Sequence, residues 1–245
     1  MRREQRAMAW RTRNPNEEKP ATIMNMPLFP LNHVVLFPGM VLPLHIFEPR
    51  YREMIDRCVA EQLPFGVLLI KEGREVGGDA IPHTVGTAAR IVRVERMDDG
   101  RMNITAVGGQ RFRVKEFHSD QRYLTGTVEH YPIVNGGTRL ADEIAHRVRP
   151  RLIEYVEMLS RASQQQLKLD RLPEDATTLA FMVAIAMQLG HTDKQALLEL
   201  SGIPDMLARE LYLLSRELLL LGHMVDTHAD IMAMSMGPTG YILPN

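Results

Sequence analysis

A polar side chain does chemistry only when a second group of the right type lies within reach, and few pairs in this sequence meet that test. Of the nine histidines, His33, His45, His83, His118 and His130 fall at no spacing that gathers metal ligands. His223, Asp226 and Asp230 would share a face if the last helix runs through them, although a solvated helix end is the commoner outcome of such a pattern. Cys58, the single cysteine, excludes an intrachain disulfide and falls on the apolar face of a helix, so it reads as a reduced core residue. There is no Gly-x-Ser-x-Gly elbow to raise a nucleophilic serine and no Gly-x-x-x-x-Gly-Lys-Ser/Thr loop to cradle phosphates. The reading is a non-enzymatic protein with no cofactor and no metal. Arg111, Arg113 and Lys115 alternate with Phe112, Val114 and Glu116, so one strand face there is basic and could touch phosphates. Glu116 and Asp120 lie close by, and a solvated strand face gives the same pattern.

The elements that must position these groups begin with Pro27 to Ile55. Two strands, Val34 to Phe37 and Val41 to Phe47, flank Pro38-Gly39, a corner that combines a fixed φ with a permitted positive one. Glu48 then precedes Pro49, which suits the first turn of a helix. Tyr51, Met54, Ile55, Cys58 and Val59 give that helix an apolar face as far as about Ala60. Phe65 to Ile70 reads as a buried strand. Thr87 to Arg96 and Met102 to Val107 form a hairpin across Asp98-Asp99-Gly100, Gly108-Gly109 turns the chain again, and Tyr123 to His130 supplies a last strand. Short strands with turns every ten or so residues point to a small antiparallel barrel or coiled sheet.

After Gly136-Gly137 the hydrophobic period changes. Leu140, Ile144, Val148, Leu152, Tyr155, Val156 and Leu159 share a face of a helix from about Arg139 to about Arg161. The segment Asp175 to Leu189 is apolar nearly all round, which marks a helix buried among others. Thr192 and Gln195 fit a capping box that starts a short helix ending at Gly202, and Pro204 opens a last helix striped with Leu207, Leu211, Leu214 and Leu218. Lysine plus arginine number 29 against 30 for aspartate plus glutamate, so net charge attracts neither nucleic acid nor anionic membrane. The longest apolar run, Leu179 to Met187, falls far short of the ~20 residues a membrane span needs. Met1 to Asn25 has no apolar segment of signal-peptide type. A soluble, cytoplasmic protein is the expectation.

Several ordered strings carry a family resemblance: Pro27 to Leu31, Val34 to Gly39, Leu42 to Leu44, Ile46 to Glu48 and Arg50-Tyr51. Ala106 to Gly108, Arg111 to Val114, Asp193 to Gln195, Leu197 to Glu199 and the leucine-rich Leu207 to Leu221 extend it. The sequence thereby resembles the N-terminal domain of Lon proteases, also found free-standing and in cereblon. The resemblance implies an α+β fold, a PUA-like β pseudo-barrel followed by a C-terminal α-helical bundle. The organisation follows: residues 1–25 a disordered arm, 26–134 the β-rich part, 138–222 the helical bundle and 223–245 a flexible tail, with Met24 or Met26 an alternative start. Tyr241 to Leu243 of that tail could dock in a groove. It also implies recognition of unfolded or degron-bearing polypeptide, with a separate protease or chaperone as a further partner, since neither the ATPase nor the serine–lysine protease signature of Lon itself is present. An open β-surface offers edges that can add a strand. Phe37, Met40, His45 and Tyr51, at the hairpin tip and helix entry, are the expected contacts. The alternative is an RNA-binding PUA-like module that uses Arg111, Arg113 and Lys115.

Overall fold

A computed structural model describes residues 24–73, 80–163, 165, 166, 169 and 171–235, with side chains described through His223. Two compact units divide the chain: residues up to Pro132 together with Leu189–Glu199, and Ile133–Gln188 together with the residues from Leu200 onward. The α+β class and the order of strands followed by helices hold as expected.

The first unit is a closed sheet. Its elements are β1 (Met24–Leu31), β2 (Val41–Ile46), α1 (Pro49–Glu61), β3 (Phe65–Glu72), β4 (Ile81–Pro82), β5 (Val85–Arg96), β6 (Met102–His118), β7 (Thr125–His130) and a later helix, His191–Glu199. The strand order β1-β7-β6-β5-β3 returns to β1 through a parallel β1–β3 pair, which closes the ring; β2 lies off this path on β6. Closure removes most sheet edges, so little backbone is left seeking a partner.

Alternation sorts the strand residues onto two faces. Met26, Leu28, Leu68, Ala88, Phe112, Val114 and Val128 form one buried cluster. Phe29, Leu31, Phe65, Val67 and Ala89 face the other way, into a larger cluster with Leu42, Ile46, Met102, Ile104 and Ala106. Tyr51, Met54, Ile55 and Cys58 of α1 complete that cluster. Helix α1 starts at Pro49 behind an extended Glu48 and stops at Gln62, whose left-handed φ of 52° returns its N–H to the helix end. Val59, placed on the apolar face by spacing, is exposed.

Two strand expectations are corrected here. Val34 to Phe37 is irregular, and the first strand is β1, whose prolines conceal it. Met24–Pro27 pairs antiparallel with β7 and Leu28–Leu31 parallel with β3, so neither half of β1 runs a full ladder that Pro27 or Pro30 would break. Gly108-Gly109 is no turn: β6 runs through both and pairs with β5 from Met102 to Arg113, with two bulges. The hairpin across Asp98-Asp99-Gly100 is present, with Arg96 opposite Met102.

The second unit holds α2 (Arg139–Ser163), α3 (Ala176–Ala186) and, in chain order after α4 (His191–Glu199) of the first unit, α5 (Ile203–Ser235). Thr138 and Asp175 cap α2 and α3 by accepting N–H bonds from Ala141 and Thr178. The buried face of α2 is Ala141, Ala145, Val148, Leu152 and Tyr155, so Leu140 stays exposed: small alanines let the neighbouring helix approach where the leucine was expected to pack. A parallel bridge between Val134 and Gly202 ties the leads into α2 and α5, and Tyr155 accepts the Gln188 N–H at 3.0 Å. Helix α4 begins at His191, so Thr192 lies inside it and the expected capping box is absent. Helix α5 continues past residue 223 to Ser235, and the side chains of Asp226 and Asp230 lie outside the described residues. So do the arm through residue 23 and the tail from residue 236, including Tyr241 to Leu243.

Candidate functional site

Strand β2 begins from a corner that only certain residues can make. Proline at 38 and glycine at 39, with φ of 82°, turn the chain so that Met40 N donates to Phe37 O at 3.1 Å. The corner is then bonded to β6: Gly39 N donates to Gly108 O at 2.8 Å and Gly108 N to Met40 O at 2.9 Å. A Cβ on Gly108 would collide with the Phe37 carbonyl, which is why glycine stands in the middle of a long strand.

From this anchor β2 runs antiparallel to Met102–Val107 of β6. Leu42 and Ile46 point into the core, while Val41, Pro43, His45 and Phe47 point outward. Val41 is 57% exposed and Phe47, just past the strand end, 55% exposed, an apolar row along a strand paired on one side only among the described residues. His45 Nδ1 donates to Asn103 Oδ1 at 2.7 Å, and its ring stacks toward Phe47 at 6.1 Å between centroids. The row is therefore apolar with one polar, orientable group, which suits extended polypeptide.

Of the four expected contact residues, two sit here. Met40 is half-buried at the start of the row and His45 is exposed within it. Phe37 is 0% exposed and Tyr51 5%, with the Tyr51 ring tilted against Phe29 at 4.1 Å between centroids, so both are core and neither can meet a ligand directly. An aromatic at a corner or a helix entry is as useful to the core as to a partner, and here the core takes both. Val41 and Phe47 were missed, although period-two alternation across Val41 to Phe47 already placed them opposite Leu42 and Ile46.

The basic strand is not one surface. Arg111 is 3% exposed: its guanidinium donates to Leu198 O, at the C-terminal end of α4, at 2.6 Å and lies over the Tyr131 ring. Tyr131 in turn donates to Glu199 O at 2.8 Å, and Gln195 donates to Val85 O at 3.1 Å, so the helix end is held to the barrel by several polar bonds. A cation at a helix C-terminus also meets the negative end of the dipole. Burial pulls Arg111 down to about 10, still charged at neutral pH. Arg113 stacks on the other ring contact of Tyr131 at 4.1 Å, and Lys115 pairs with Glu129 at 3.0 Å. The expected row Arg111, Arg113, Lys115 thus loses its first member to the interior, and the bulge between Val114 and Glu116 breaks the alternation that defined it.

Burial pushes the Cys58 thiol up to about 12, so it carries no thiolate at neutral pH. Among the described residues no group of three or more histidine, cysteine, aspartate or glutamate side chains could hold a metal. Among them, too, no helix is long and apolar enough to cross a membrane.

Comparison with known proteins fits this architecture. Residues 25–216 match the family model of the ATP-dependent protease La (LON) substrate-binding domain. A Lon protease of Flavobacterium johnsoniae is 29% identical over 196 residues, which cover 78% of this chain and 23% of the relative. A Lon protease of Syntrophobacter fumaroxidans is 26% identical, over 81% of this chain and 24% of the relative. The chain thus spans about a quarter of the length of these curated relatives. Among solved structures, a Lon N-terminal domain protein from Xanthomonas campestris aligns with a TM-score of 0.54 at 23% identity, over 78% of this chain and 98% of the other. The N-terminal domain of a Mycobacterium avium complex Lon protease aligns at 0.59 and 19% identity with the same coverage.

Proposed function

The chain belongs to the LON substrate-binding domain family, and from that premise we propose that it is a non-catalytic protein that recognises unfolded or degron-bearing polypeptide on the outer face of β2. The observation that carries this is the apolar row Val41 and Phe47, exposed along a strand with one side unpaired among the described residues, next to Met40 and His45. An aromatic and a β-branched side chain there are each a little over half exposed, and covering that remaining surface would gain roughly 1 kcal/mol each. The client passes to a separate protease or chaperone, in the cytoplasm.

The test is fluorescence anisotropy with a panel of unfolded peptides and a short single-stranded RNA in one buffer. The reading expects micromolar peptide affinity and no RNA signal, with a loss of about tenfold in Val41→Asp/Phe47→Asp. Peptide affinity that survives both that change and alanine at Met40 and His45, in a folded protein, moves the site elsewhere. RNA binding alone, lost on charge reversal at Arg113 and Lys115, replaces the reading.

A further inference from the structure

Parity decides which backbone groups of β2 are open. Gly108 of β6 turns both its N–H and its C=O toward the start of β2, bonding Met40 O at 2.9 Å and Gly39 N at 2.8 Å. Even-numbered residues of β6 therefore face β2. With Ala106 opposite Leu42, Ile104 opposite Leu44 and Met102 opposite Ile46, the even residues of β2 complete that ladder. Val41, Pro43 and His45 direct their polar groups to the other side, where no strand pairs among the described residues. Proline at 43 agrees, since it has no N–H and would break the β2–β6 ladder at any even position.

We infer that this edge takes one extended segment of a foreign polypeptide by strand addition, and that Pro43 sets the edge against a second copy of the chain. The inference rests on the polypeptide-binding reading above. A foreign strand laid along Val41, Pro43 and His45 finds every edge group available except one donor. Two copies of β2 related by a two-fold axis must pair antiparallel, and full overlap of Val41 to His45 sets the two prolines face to face. Both bonds of that pair are then missing, and any register that separates the prolines shortens the overlap. Self-pairing therefore loses twice what a foreign strand loses, a way of blunting an edge against its own kind while leaving it usable. The ligand residues opposite Val41, Pro43 and His45 share their outer face beside Phe47, so the segment suited to the edge alternates apolar or β-branched residues with polar ones.

The probe is a fluorescein-labelled heptapeptide, Lys-Thr-Val-Thr-Phe-Thr-Lys, and two versions N-methylated on alternate residues in opposite parity. N-methylation removes donors without changing the side chains. Strand addition predicts that one parity weakens binding by about tenfold or more and the other by less than about twofold, and that Pro43→Val, which returns the donor, tightens the parent peptide by about threefold. Equal binding by all three peptides, or equal loss in both parities, overturns strand addition while leaving polypeptide binding intact. No binding of the parent peptide or of an unfolded protein overturns both.

Discussion

Over Met102–Val107, β6 is flanked by β2 and β5, and the outward side chains beside it are Val41, His45 and Phe47, with nothing laid across them among the described residues. Over Phe112–His118 it pairs with β7, and with β5 only as far as Arg113, and the adjoining Arg111 is sealed against the end of α4. One strand thus supplies an open face at one end and a buried clamp at the other. Exposure here follows from which distant element arrives, and a charged residue proved the more buried of the two candidates because a helix C-terminus needed it.

Breaking the junction between the halves has the largest expected effect. Gly108→Ala forces a Cβ into the Phe37 carbonyl and loosens the corner that starts β2, for a loss of about 3 kcal/mol by denaturant unfolding, with peptide affinity falling in parallel. Arg111→Ala leaves the Leu198 carbonyl without its donor and opens a gap under Tyr131. A loss of about 2 kcal/mol is expected, with the affinity of the folded protein for peptide unchanged, because the clamp is not the binding face.

Glu210 in the second unit sharpens the contrast. It is as buried as Arg111, yet neither carboxylate oxygen has a hydrogen-bond partner among the described residues, and burial raises its pKa well above the ordinary value of 4.5. The folded state prefers the protonated acid. Stability from this group is complete below pH 4.5 and is lost as pH rises from there toward the raised folded value. Glu210→Gln should therefore gain about 1–2 kcal/mol at pH 7 and flatten that pH dependence, whereas Arg111→Ala should not flatten it. Chemical denaturation at several pH values separates the two. The smallest effects concern the open face and the thiol. Val41→Asp/Phe47→Asp should shift stability by less than about 0.5 kcal/mol per residue, and Cys58 should resist a thiol reagent at pH 8 until the protein unfolds.

Much of this was legible in the residues. Pro49 and the apolar spacing through Cys58 mark α1, Asp98-Asp99-Gly100 marks the hairpin, and the leucine stripe marks α5. What stayed hidden depended on partners remote in sequence. Pro27 and Pro30 disguise β1, because its two halves use different neighbours. Gly108 looks like a turn until the corner at Phe37 to Met40 is folded against it. Arg111 looks solvated because its acceptor lies 87 residues on. The candidate face was half legible: His45 and Met40 could be named, but the aromatic of the row is Phe47, while Phe37 and Tyr51 went to the core.

The most direct test of the central claim is a titration of one protein in two states, permanently unfolded by carboxymethylation and native, against the wild-type chain and Phe47→Asp. The account predicts micromolar binding of the unfolded form alone, weakened by about fivefold in Phe47→Asp. Equal binding of the folded and unfolded forms, or binding indifferent to Phe47, would contradict it.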